Sequence, residues 1–181
     1  IGSAFNDILL GNSSINILTG GNGNDTLTGA AGADKIDGGA GVDTVSYAAS
    51  AVAINVNLAI TTAQSGGDAA GDTLFTIENI IGSAYNDTLT GSSVANNING
   101  GAGVDSVSYA NSTAGVNVNL GLTTAQSGSY AAGDILSNIE NLTGSGFDDI
   151  LTGNSSNNTL TGGNGNDTIT GAAGADKIDG G

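Results

Sequence analysis

A nine-residue unit, Gly-Gly-x-Gly-x-Asp-x-(apolar)-x, sets what this chain can fold into. It is complete at 20–28 (GGNGNDTLT), 38–46 (GGAGVDTVS), 100–108 (GGAGVDSVS) and 162–170 (GGNGNDTIT). Counted in nines from Gly2, five units hold register to Ser46. Their sixth positions are Asp7, Asn16, Asp25, Asp34 and Asp43, and their eighth are Leu9, Leu18, Leu27, Ile36 and Val45. Further blocks run over 82–108 and 144–181. Glycine-rich positions permit the tight turn, and the last three residues read as a short strand whose middle, apolar residue points inward. Two units then make one coil. The expected fold is all-β, a right-handed parallel β-roll or β-solenoid of about 18 residues per coil.

Two related 35-residue segments, 47–81 and 109–143, separate the blocks. Each opens Tyr-Ala, alternates apolar residues (Val52, Ile54, Val56, Leu58; Val116, Val118, Leu120, Leu122) and shares TTAQSG, AAGD and IEN. Period-two alternation predicts a half-buried strand, and the length, close to two coils, leaves open whether the segments continue the roll or bulge from it. Residues 1–39 match 143–181 at an offset of 142, close to eight coils. The chain reads as one continuous array over 1–181, a fragment of a larger repeat protein.

The 181 residues hold 17 Asp+Glu, 2 Lys+Arg and no His, a net charge of -15. Nucleic-acid binding is excluded, because phosphate contacts need Lys and Arg. There is no Cys, and no apolar run approaches the ~18 residues of a membrane span. Without His or Cys the usual nucleophile–base pairs cannot be assembled, so no enzyme activity is expected here. Tyr47 and Tyr109 read as packing residues.

The acidic residues instead suit a hard cation. Turn carbonyls converge on one point, and the sixth-position Asp adds a carboxylate. Calcium takes six to eight such oxygens, and stacked turns can share one ion. The aliphatics of one coil do not offset the backbone entropy of ordering it, so the blocks are expected to fold when calcium binds.

These units resemble the β-roll of the repeat-in-toxin (RTX) family over nearly the whole chain. There an ion sits between stacked turns, held by turn carbonyls and the sixth-position Asp. The resemblance implies that Gly21, Gly23 and Asp25 face Gly38, Ala40 and Asp43 across one Ca2+, with Ala30, Gly32 and Asp34 on the opposite edge. Gly101, Gly103 and Asp105, then Gly163, Gly165 and Asp167, repeat the first role. Ala172, Gly174 and Asp176 repeat the second, and Asp7 stands in the same sixth position. The stretch 76–87 is similar to the lead-in of the roll in serralysin-type metalloproteases. That likeness implies that Thr76 and Glu78 join Ser83, Tyr85 and Asp87, and that Asn138 and Glu140 join Ser145, Phe147 and Asp149. Asp72 and Asp134 are further candidate ligands from their shared AAGD context. Asn16, Asn96 and Asn158 replace the Asp, which implies weak or empty sites.

The function expected from this is a calcium-binding structural stretch of a large secreted bacterial surface protein of adhesin, sheath or surface-layer type. It would leave the cell by type I secretion, fold on calcium outside, and self-associate end to end into a filament or layer. Its partners would be further copies, a surface glycan or another cell. The alternative is an accessory secretion and folding module of an RTX protease, lipase or polysaccharide-modifying enzyme. A third reading is an ice- or glycan-binding face built on the outward Thr residues.

Overall fold

The computed structural model describes residues 1–181. Eighteen short strands follow one another with almost no other regular structure. The first nine are β1 (Ile8–Leu10), β2 (Ile17–Asn22), β3 (Thr26–Thr28), β4 (Lys35–Ala40), β5 (Thr44–Ser46), β6 (Asn55–Asn57), β7 (Thr73–Phe75), β8 (Asn79–Ile81) and β9 (Thr88–Thr90). The rest are β10 (Asn97–Asn99), β11 (Ser106–Ser108), β12 (Asn117–Asn119), β13 (Ile135–Ser137), β14 (Asn141–Thr143), β15 (Ile150–Thr152), β16 (Thr159–Thr161), β17 (Thr168–Thr170) and β18 (Lys177–Asp179). Every strand pair is parallel, and within the blocks partners lie 18 residues apart, as in Leu9↔Leu27 and Leu151↔Ile169. No helix is long and apolar enough to cross a membrane.

The eighth-position side chains form the core. Leu27, Ile36, Val45, Leu89, Ile98, Val107, Leu151 and Leu160 are fully buried. They stack in register between two faces, while their strand neighbours point outward.

The 35-residue segments continue the roll, but not as two simple further coils. Each supplies three strands, and one of them is out of order. The sheets run β1-β3-β5-β8-β10-β13, β2-β4-β7, β6-β9-β11-β14-β16-β18 and β12-β15-β17. After β5 the chain therefore skips a place, laying β6 where it pairs with β9. It then doubles back and fills the skipped place with β7 against β4. On the way, Ser65 pairs antiparallel with Asn55, and the Gln64 N–H donates to the Asp72 carbonyl at 2.7 Å. Gln64 and Ser65 thus close the gap between β6 and β7. The second segment repeats this with β12, β13, Gln126 and Ser127. Period-two alternation requires a strand but does not say where along the axis the strand is laid.

Candidate metal centre

Each turn ends on a residue whose backbone enters the next strand, so these residues stack in a column along each edge of the roll. The stacking is a hydrogen-bonded ladder in which each backbone N–H donates to a carboxylate one coil on. Asp7 donates to Asp25 Oδ1, Asp25 to Asp43 Oδ1 and Asp43 to Glu78 Oε2, all at 2.8 Å. Along the opposite edge, Asn16 donates to Asp34 at 2.7 Å and Asp34 to Asp72 at 2.8 Å. Further along, Asp87 donates to Asp105 at 2.8 Å and Asp105 to Glu140 at 2.9 Å. Asp149 donates to Asp167 and Asn158 to Asp176, both at 2.9 Å.

The turns divide into two kinds by what happens to the second carboxylate oxygen. At Ser3, Asn12, Ser83, Ser92, Ser145 and Asn154 the second-position N–H donates to the sixth-position side chain of its own turn, at 2.5–2.8 Å. At Gly21, Ala30, Gly39, Gly101 and Gly163 the second position has positive φ, and this bond is absent. The Oδ2 atoms of Asp25, Asp34, Asp43, Asp105 and Asp167 are then buried with no hydrogen-bond partner. Alanine rarely adopts the left-handed region, yet Ala30 has φ 65° and Ala172 φ 68°. Backbone strain at both points to a turn held for its carbonyls.

Those carbonyls face one another between coils. A Cβ on Gly39 would collide with the Gly21 carbonyl, one on Gly41 with Gly23 and one on Gly20 with Gly38. Gly101 and Gly103 lie over the carbonyls of Ser83 and Tyr85, and Gly163 and Gly165 over those of Ser145 and Phe147. Gly32 and Gly174 lie over Ser14 and Ser156. The Ala40 carbonyl accepts the Gly23 N–H at 2.9 Å. Orphaned buried carboxylates are costly unless a cation or donor meets them, so the residues present fit calcium. No three acidic side chains converge on one point, which leaves carbonyls as the remaining ligands.

Burial sets the electrostatics. It raises the carboxyls of Asp34 and Asp43 above their ordinary value, against the backbone N–H groups that stabilise their charge. Asp105 is pushed up to about 6 by burial, opposed by the Asp87 N–H and reinforced by the Asp87 and Glu140 carboxylates. A bound cation would reverse the sign of this cost.

Two expectations are corrected. Thr76 and Glu78 do not join Ser83, Tyr85 and Asp87, which occupy the opposite edge. The Thr76 hydroxyl accepts the Gly39 N–H at 2.8 Å, and Glu78 caps the Asp43 rung. In the same way Glu140 caps Asp105, and the Asn138 carbonyl faces Gly100, far from Ser145, Phe147 and Asp149. Adjacency in sequence suggested the wrong partner, since stacking joins residues 35 apart. Asp72 and Asp134, expected as ligands, have both oxygens engaged within the protein. Oδ1 accepts the N–H of Asp34 or Asn96, and Oδ2 accepts the hydroxyl of Tyr47 at 2.9 Å or Tyr109 at 2.8 Å. Burial pushes both carboxyls up to about 6 and both phenols upward. Asn96 and Asn158, expected as weak or empty sites, carry an amide where the complete units carry a charged oxygen. Their side-chain amides donate to the carbonyls of Glu78 and Glu140 at 2.8 Å.

Sequence reasoning missed Gln64 and Gln126. Gln64 Oε1 accepts the Asn57 N–H, and its amide donates to the carbonyls of Asn57 and Thr62. The shared TTAQSG was the available signal.

The RTX calcium-binding nonapeptide repeat model matches four times, over residues 1–34, 10–45, 76–109 and 143–178, together more than half of the chain. A search of curated proteins found no match. With turn carbonyls and orphaned carboxylates alternating along both edges, the chain belongs to the RTX calcium-binding nonapeptide repeat family and is a calcium-binding repeat region.

Proposed function

We propose that this chain is a calcium-folded structural stretch of a large secreted surface protein of adhesin, sheath or surface-layer type, carried out of the cell by type I secretion and without catalysis of its own. The observation that carries this reading is the ladder itself. On both edges one oxygen of each of five buried carboxylates has no partner, which ties ordering to a divalent cation, scarce inside cells and abundant outside. The 142-residue super-repeat suits a spacer or scaffold, because solenoid coils stack without limit on their neighbours.

Light scattering during a calcium titration of the chelated chain separates this from an accessory enzyme module. The surface-structure reading predicts scattering that rises together with β signal as coils stack end to end. A folded, calcium-bound monomer at the same concentration would remove the assembly part of the proposal.

A further inference from the structure

We propose that the two 35-residue segments are metal-independent clasps that divide the calcium ladders into separate blocks and hold the roll in register before calcium arrives. None of the five orphaned carboxylate oxygens lies within 47–81 or 109–143. Of the four rungs inside the clasps, Asp72 and Asp134 are occupied by a protein group, the hydroxyls of Tyr47 and Tyr109, while Glu78 and Glu140 accept the N–H groups of Asp43 and Asp105 and close the ladders of the preceding blocks. At the exit of each clasp, the amide of Asn96 or Asn158 meets a Glu carbonyl. An amide hydrogen there does the joining that the blocks leave to an ion.

The clasps are also better packed. Each 35-residue segment contributes seven of the 23 core residues, whereas the longer first block, 2–46, contributes four, Leu18, Leu27, Ile36 and Val45. The clasp strands pair outward, β6 with β9, β7 with β4 and β8 with β5 and β10, and the doubled-back path adds bonds internal to the segment. Asn55 and Ser65 exchange both backbone hydrogen bonds, Gln64 and Gly71 bond to Asp72 and Gln64 in turn, and the Tyr47 N–H donates to the Ile81 carbonyl. None of these bonds needs a neighbouring block. Buried aliphatics and internal hydrogen bonds of this kind raise the local opening free energy. On the reading that calcium folds the nonapeptide blocks, the clasps are the seeds on which the blocks stack.

Hydrogen exchange of the full chain in chelator, and again in calcium, tests this. In chelator, the amides of Asn55, Gln64 and Ser65, with Asn117, Gln126 and Ser127, are expected to exchange at least about tenfold slower than those of Thr26, Thr44 and Thr168. Calcium should then slow the second set. Protection appearing in both sets together as calcium is added would overturn the clasps while leaving calcium-driven folding of the blocks intact. Equal protection of both sets without metal, with no response to calcium, would overturn both. The double variant Tyr47→Phe, Tyr109→Phe adds a readout of its own. It should lower clasp protection in chelator by about tenfold through the unpaired Asp72 and Asp134 oxygens and leave the calcium-bound protection of Thr26 and Thr168 in place. Unchanged clasp protection in this variant would remove the tyrosine–carboxylate bonds from the account.

Discussion

Asp43→Asn and Asp105→Asn are expected to have opposite effects with and without calcium. In the metal-free roll, each Asp keeps one oxygen in the ladder and buries the other without a partner. An Asn keeps the ladder acceptor, removes the buried charge and offers an amide hydrogen to a carbonyl, as Asn96 already does to Glu78. In chelator at neutral pH the variants should therefore show more β signal than the parent. With calcium the lost charge weakens the site, since affinity follows ligand charge count, and the midpoint should rise roughly tenfold. Acid should imitate the substitution. Asp105 titrates at about 6 in the folded chain against ~3.9 when unfolded. A raised folded value means that the contribution is fully present below the unfolded value and is lost as pH climbs through 6. Metal-free parent should thus gain β signal from pH 7 to pH 4, and Asp105→Asn should flatten that change. Circular dichroism against pH in chelator checks both, and a variant with less β signal than the parent would contradict them.

Gly39→Val should disable the first block. Gly39 has φ +102°, and a Cβ there meets the Gly21 carbonyl across the inter-coil gap. A β-branched residue adds strain in a region that costs an L-residue about 1–2 kcal/mol even in its milder part, and the clash disperses the carbonyls that would face the ion. The total is expected to exceed about 3 kcal/mol. In calcium, the amides of Thr26 and Thr44 should lose protection while Thr168 keeps it. The reverse change, Ala30→Gly, relieves a left-handed alanine at φ 65° and should leave the block as stable or up to about 1 kcal/mol more so. Equal thermal stability of Gly39→Val and parent in calcium would mean that the turn does not work as described.

The nonapeptide blocks were legible because one period fixes three things at once. The eighth position fills the core, the sixth forms the ladder, and the turn glycines lie between. Leu27, Asp25 and Gly23 can each be placed from their number alone. The clasps were not legible in the same way. Ile54 and Val56 announce a strand, yet nothing local says that β6 is laid one place ahead of β7. Tyr47 and Asp72 meet across 25 residues, and the aromatic residue gave no sign that its hydroxyl would stand where a metal rung was expected. Glu78 was recognised as special but paired with the wrong turn, because its partner Asp43 lies on the far side of an excursion that the sequence does not draw. The Asn positions carried a legible clue in their own turns. Each Asn accompanies Ser or Asn at the second position, where the backbone N–H caps it.

In the folded roll, calcium supplies what the orphaned carboxylates lack. The most direct test is a calcium titration of the chelated chain followed by far-ultraviolet circular dichroism. A cooperative gain of β signal between about 10⁻⁴ and 10⁻³ M calcium, the range of extracellular modules, is the predicted result. A spectrum with full β signal in chelator and no change on adding calcium would contradict it, and the buried carboxylates would then have to be held by the protein alone.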